Sequence, residues 1–165
     1  MAIHPDVAPL SFLIGTWEGS GVGIYPTIDD FSYREEISFV APPGKPFLHY
    51  SQKTWRAEGH PEAGTPLHTE CGYVRPVEGG GAELVIAQPS GIVEVHSGAV
   101  QGSTVRFTSD LVSQTRTAKE VESVDRTIMV EGDELRYEMW MGAVGQAHQL
   151  HLKAKLNRQP TTDDG

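Results

Sequence analysis

Short runs of alternating apolar and polar residues, separated by turns rich in Gly and Pro, dominate the chain from Thr16 to Leu156. In Glu134-Leu135-Arg136-Tyr137-Glu138-Met139-Trp140-Met141 the odd positions are apolar and the even ones mostly polar. That period belongs to a strand with one wet face and one dry face. Ten such segments are predicted: Thr16–Tyr25, Phe31–Ala41, Lys45–Trp55, Leu67–Pro76, Ala82–Gln88, Gly91–Val100, Ser103–Val112, Val121–Glu131, Glu134–Met141 and Ala147–Leu156. Turn chemistry lies where hairpins need it, at Gly79-Gly80-Gly81, Gln101-Gly102 and Glu131-Gly132-Asp133. Only Pro5 to Ile14 reads as helical, a short turn able to plug or cap a barrel end. Glu58–Pro66, with two prolines and two glycines, reads as a surface loop. Ten short strands with brief connections imply an all-β sandwich or a closed antiparallel barrel. Closure would remove edge strands, but periodicity alone leaves the choice open.

At 165 residues the chain suits one domain, expected over residues 1–158 and followed by a polar tail at 159–165. A net charge of −9, from 13 basic and 22 acidic residues, argues against nucleic-acid or anionic-membrane partners. The N-terminus lacks the pattern of a secretory signal, and no apolar run is long enough to span a membrane. The single cysteine, Cys71, forbids an internal disulfide, so a cytoplasmic location is expected.

The stretch Gly15-Thr16-Trp17-Glu18-Gly19-Ser20-Gly21 has the spacing G-x-W-x-G-x-G. As plain strand chemistry it places glycines where backbones crowd and a tryptophan at a barrel end. It also resembles the signature of the nitrobindins, compact ten-stranded antiparallel barrels, similar to lipocalins and fatty-acid-binding proteins, that hold haem b. Segments throughout the chain carry the resemblance in order: Gly23–Ile28, Tyr33–Glu36, Gly44–Tyr50, Leu67–Tyr73, Gln88–Gly91, Thr117–Val121 and His151–Leu156. The likeness implies a ferric haem at one end of the barrel, bound by a histidine on the last strand, here His151. It also places Lys119 beside a propionate, Thr27 as a further haem contact, and Leu67, His68, Gln88 and Met141 around the cofactor. A homodimer is implied as well.

The residues themselves do not rank the histidines. Of the seven, His4 and His60 lie in segments expected to be flexible, which leaves His49, His68, His96, His148 and His151. Strict alternation even puts His151 on the face opposite Leu150, Leu152, Ala154 and Leu156. Either the strand bulges beside the site, or the ligand lies near a mouth where alternation fails. His148 competes by proximity. His68 reads equally as a distal donor or as the member of a cross-strand pair with a neighbouring Glu or Tyr. Cys71 has no C-x-x-C partner, no His/Cys cluster has zinc spacing, and the adjacent Glu35 and Glu36 should face opposite ways.

Nitrobindins bind nitric oxide and convert peroxynitrite to nitrate, so the resemblance implies a haem-dependent peroxynitrite isomerase acting on small molecules. No strong distal acid stands out, which predicts a ferric resting state and poor dioxygen stabilisation. Two other classes remain: a non-enzymatic carrier of haem, fatty acid or another apolar ligand, and a nitric-oxide or haem sensor.

Overall fold

The alternating segments form ten strands, β1 (Gly15–Tyr25), β2 (Ile28–Val40), β3 (Leu48–Arg56), β4 (Pro66–Val77), β5 (Gly81–Ala87), β6 (Ile92–Gln101), β7 (Thr104–Gln114), β8 (Val121–Glu131), β9 (Glu134–Ala143) and β10 (Gln149–Arg158). They come from a computed structural model that describes residues 2–161. Each strand pairs antiparallel with its sequence neighbour, and β1 pairs with β10 from Trp17↔Arg158 to Gly23↔Leu152. The sheet therefore closes into a barrel with no free edge, which decides between sandwich and barrel.

A 3₁₀ helix at Pro5–Leu13 blocks one end, its Val7, Leu10 and Leu13 fully buried. Leu48, Val74, Val105, Leu135 and Leu156, all near the strand ends that meet this plug, make that half a packed apolar core. Trp17 joins plug to barrel: its indole N–H donates to the Leu13 carbonyl at 2.8 Å, and the Arg158 guanidinium lies 4.0 Å from the ring centroid.

The glycines of the motif permit close approach. Gly19 is flanked by Glu35 and Leu156, and a side chain there would strike the Lys155 backbone. Gly21 makes room for the Tyr33 ring, which is 1% exposed. Several boundaries differ from expectation by two or three residues, β3 among them, which starts at Leu48 and not at Lys45. β2 starts at Ile28 because Pro26-Thr27 alone make its turn, and β10 starts at Gln149 because the backbone reverses at Val144 and Gly145 (φ 47° and 76°). Of the polar tail expected at 159–165, residues 162–165 lie outside the described ones, while Gln159 still donates its backbone N–H to Thr16 at 2.8 Å. No helix among the described residues is long and apolar enough to cross a membrane.

Candidate functional site

The barrel end opposite the plug is open, ringed by the β1–β2, β3–β4, β5–β6, β7–β8 and β9–β10 connections. A chamber of about 450 Å³ enters there. Its walls are apolar, from Phe31, Ile92, Val121, Val124, Met139 and Leu152, with polar groups at the rim and floor. That combination suits a flat, mostly apolar cofactor with a few polar substituents.

His151 lies in the wall because β10 bulges there. Leu150 pairs with Trp140 and Leu152 with Met139, leaving His151 as one extra residue between two consecutive partners. The bulge answers the phase problem of the sequence. It returns Leu152 to the inner face and leaves Leu150 opposite the outward-facing Trp140, so Leu150 does not share a face with Leu152 as strict alternation had it. The imidazole is fixed on two sides. Its Nδ1 lies 3.0 Å from the Ile24 carbonyl oxygen, to which it can only donate, and the Tyr25 ring meets it edge-on at 5.1 Å. Tyr25 is itself held, accepting from the Ala143 amide at 2.8 Å. Burial lowers the His151 pKa below the usual histidine value and a nearby His68 adds to this, the bond to Ile24 opposing. The ring is thus neutral near pH 7, with its proton on Nδ1 and the Nε2 lone pair available to a metal.

The structure brings His151 together with Leu67, His68, Gln88, Lys119 and Met141 around this chamber. Lys119 is exposed in the β7–β8 loop, where an ammonium can meet a carboxylate emerging from the chamber. His68 stands on β4, roughly across the barrel from β10, and its Nε2 lies 3.2 Å from Glu70. Its partner is therefore a carboxylate two residues along its own strand, not a cross-strand residue. Thr27 sits elsewhere, exposed in the β1–β2 turn and outside the chamber wall. His148 also lies outside it, bonded to Ser123 at 2.8 Å and facing Asp125 at 3.4 Å. His49 packs among Phe47 and Tyr73 on the outer surface.

The floor of the chamber is a buried charge cluster that sequence reasoning missed. Arg126 donates to Glu70 at 2.6 Å and to Glu94 at 3.0 Å. Tyr50 and Gln88 add donors at 2.7 Å each, to Glu70 and Glu94, and His96 meets Glu94 at 2.8 Å. Burial pushes the Glu70 carboxyl upward, but the Arg126 charge and the bonds from His68 and Arg126 outweigh it and hold the pKa down to about 2. The sequence did carry a signal: Arg126 falls in phase with Val124, Ile128 and Val130, and Glu94 with Ile92. A charge at an inward position must find partners. Beyond this layer lies a void of about 20 Å³ lined by Phe39, Val74, Leu84 and Phe107, and Arg126 stands between it and the chamber.

Fold and chamber together define an antiparallel barrel with an open-ended, largely apolar cavity of a size and shape for a planar cofactor, and with one neutral imidazole in its wall. The model of the THAP4-like, heme-binding beta-barrel domain matches residues 6–158. The chain is 48% identical over 161 residues to peroxynitrite isomerase 2 of Mycobacterium avium, covering 95% of this chain and 97% of that protein. It is 44% identical over 158 residues to a peroxynitrite isomerase of Arabidopsis thaliana, with 94% and 90% covered. The crystal structure of Rv2717c from M. tuberculosis superposes with a TM-score of 0.87 at 43% identity, covering 96% of this chain and all of that one. The chain belongs to this haem-binding barrel family, the nitrobindins.

Proposed function

We propose that the protein is a peroxynitrite isomerase that works with one haem b held in the chamber. The observation that carries the reading is the His151 bulge, which turns a neutral imidazole with a free Nε2 into an apolar, open-mouthed cavity. Bound there, haem would supply the iron chemistry that turns peroxynitrite into nitrate or takes up nitric oxide. The chain does the rest. His151 Nε2 would hold the iron, with Ile24 and Tyr25 fixing the tautomer and ring plane of the imidazole. Lys119 pairs with a propionate at the rim, while Leu67, Met139, Met141 and Leu152 exclude water from the ring faces. His68, held by Glu70, would orient an anion within the chamber.

The same features weigh against a fatty-acid carrier. An acyl chain reaching the floor would meet Glu70, Glu94 and Arg126 rather than an apolar end. The protein is read as cytoplasmic from its sequence, and as pairing with a second copy from the family likeness alone. Stopped-flow mixing of the haem-loaded ferric protein with peroxynitrite tests the activity. The expected result is faster decay and a raised nitrate yield. Decay and yield equal to those of buffer would refute it.

A further inference from the structure

Below the chamber, three buried side chains form a continuous proton path that the reading above does not use. Tyr33 lines the chamber and its hydroxyl lies 2.6 Å from that of Tyr137. Tyr137 in turn lies 2.9 Å from both oxygens of Glu35. Tyr137 has a single hydroxyl proton and donates it to the carboxylate, so Tyr33 must donate to Tyr137. The polar chain therefore points one way, from the chamber to Glu35.

We propose that Tyr33, Tyr137 and Glu35 form a one-electron donor that quenches nitrogen dioxide, a radical released when peroxynitrite breaks at its O–O bond. This rests on the peroxynitrite reading only for the source of the radical. Nitrogen dioxide takes one electron from Tyr33 and becomes nitrite. The Tyr33 phenolic proton passes to the Tyr137 oxygen as the Tyr137 proton passes to Glu35. The products are a Tyr33 phenoxyl radical, an intact Tyr137 and a protonated Glu35, with charge conserved. A second nitrogen dioxide then couples to the ring of the phenoxyl radical, giving 3-nitrotyrosine.

The surroundings single out this trio among the five tyrosines. Burial, with the nearby Glu35 charge, raises the Tyr33 and Tyr137 pKa values, so each stays a phenol and needs a base to lose its proton with the electron. Glu35 is that base, its carboxyl pushed up by burial to about 7 against bonds from Gln52 and Tyr137. Tyr50 also faces a carboxylate, but Glu70 is held near 2 with Arg126 beside it and is a poor proton acceptor. The Tyr25 hydroxyl is hydrogen-bonded to backbone groups and to no base, and Tyr73 is 45% exposed. The charged and titratable groups facing Glu35 are Tyr33 on β2, Tyr50 on β3 beside the neutral Gln52, Glu70 on β4, Arg126 on β8 and Tyr137 on β9. On β1 its register partner is Gly19, whose own partner on β10 is Leu156, and neither carries a charge.

The test generates nitrogen dioxide by pulse radiolysis of nitrate around the full chain, haem-loaded and haem-free. Freeze-quenched electron paramagnetic resonance and peptide mass mapping are the readouts. The expected result is a tyrosyl signal that grows as pH rises through about 7, where Glu35 becomes a carboxylate, with nitration at Tyr33. Tyr33→Phe removes both and leaves nitration at Tyr73. Glu35→Gln lowers the radical yield by about tenfold or more and flattens the pH profile. Tyr137→Phe, which cuts the path without touching the carboxylate, gives the same loss if Glu35→Gln does not fold. Nitration confined to Tyr73 in the unaltered chain, or a signal unchanged by Tyr33→Phe, overturns the proposal. A chain that forms the radical yet leaves peroxynitrite decay unchanged refutes the isomerase reading alone.

Discussion

The Ile24 carbonyl oxygen lies 3.0 Å from His151 Nδ1, and this bond decides which nitrogen of the ring faces the chamber. A backbone acceptor cannot be mutated away easily, so the tautomer is set by the fold itself. The consequence is a pH profile. Burial lowers the His151 pKa, so the neutral ring persists below the pH at which an ordinary histidine charges. Haem affinity should stay flat from pH 8 down through about 6.5 and fall only below it. The same sign governs the haem-free protein. A depressed histidine pKa contributes stability at and above the unfolded value that is lost as pH falls through the folded one. Fluorescence-quenching titrations at several pH values measure the affinity, and a decline already between pH 8 and 7 would contradict the assignment.

Arg126 holds two carboxylates beneath the chamber, and removing it leaves both buried with too little compensation. Arg126→Ala should cost about 3–5 kcal/mol of folding stability. Urea unfolding followed by far-UV circular dichroism provides the number. A loss below about 1 kcal/mol, the range of an exposed pair, would show that the cluster is more hydrated than its burial implies.

The same cluster sets acid sensitivity. Glu70 has a folded pKa held to about 2, below its ordinary value. A depressed carboxylate contributes stability that is present above its unfolded pKa and lost as pH falls toward the folded value. Stability should therefore drop between about pH 4.5 and 2, and Glu70→Gln should flatten that stretch of the profile. Equal slopes in both proteins would remove Glu70 from the explanation.

Lys119 is exposed, so the pairing proposed for it with a propionate would be screened by water and salt. Lys119→Ala should speed haem loss only several-fold, about 0.2–1 kcal/mol, and the difference should shrink at high salt. Transfer of haem to an excess of a scavenging apoprotein gives the rate. An effect of a hundredfold would mean that Lys119 does more than pair at the surface.

Gly21 leaves the space into which the Tyr33 ring packs. Gly21→Ala should therefore cost about 1–3 kcal/mol by overpacking and disturb the Tyr33–Tyr137 contact. Thermal unfolding checks the first effect. A neutral substitution would show that β1 and β2 adjust freely at this point.

Much of this molecule was legible in its sequence, for reasons particular to each part. Period-two alternation marked the strands because most have one apolar, inward face, as in Leu135, Tyr137 and Met139. Alternation misplaced Leu150, since one inserted residue shifts the phase of everything on one side of it and leaves no mark in composition. His151 was singled out by the family likeness, while the bulge that sets it in the chamber wall is a matter of register. The charged floor was hidden because Glu70, Glu94 and Arg126 come from three strands far apart in sequence. The phase of Arg126 and Glu94 marks them as inward, but nothing in the sequence pairs them with Glu70 until the barrel brings the three within hydrogen-bond distance.

The most direct test of the account is a haem titration of the unaltered chain, His151→Ala and His148→Ala, followed by absorption and electron paramagnetic resonance. The account predicts one haem per chain with a histidine-ligated ferric spectrum for the unaltered protein and for His148→Ala. It predicts loss of that spectrum in His151→Ala, with partial return on adding imidazole. A His151→Ala protein that binds haem with the unaltered spectrum would contradict it.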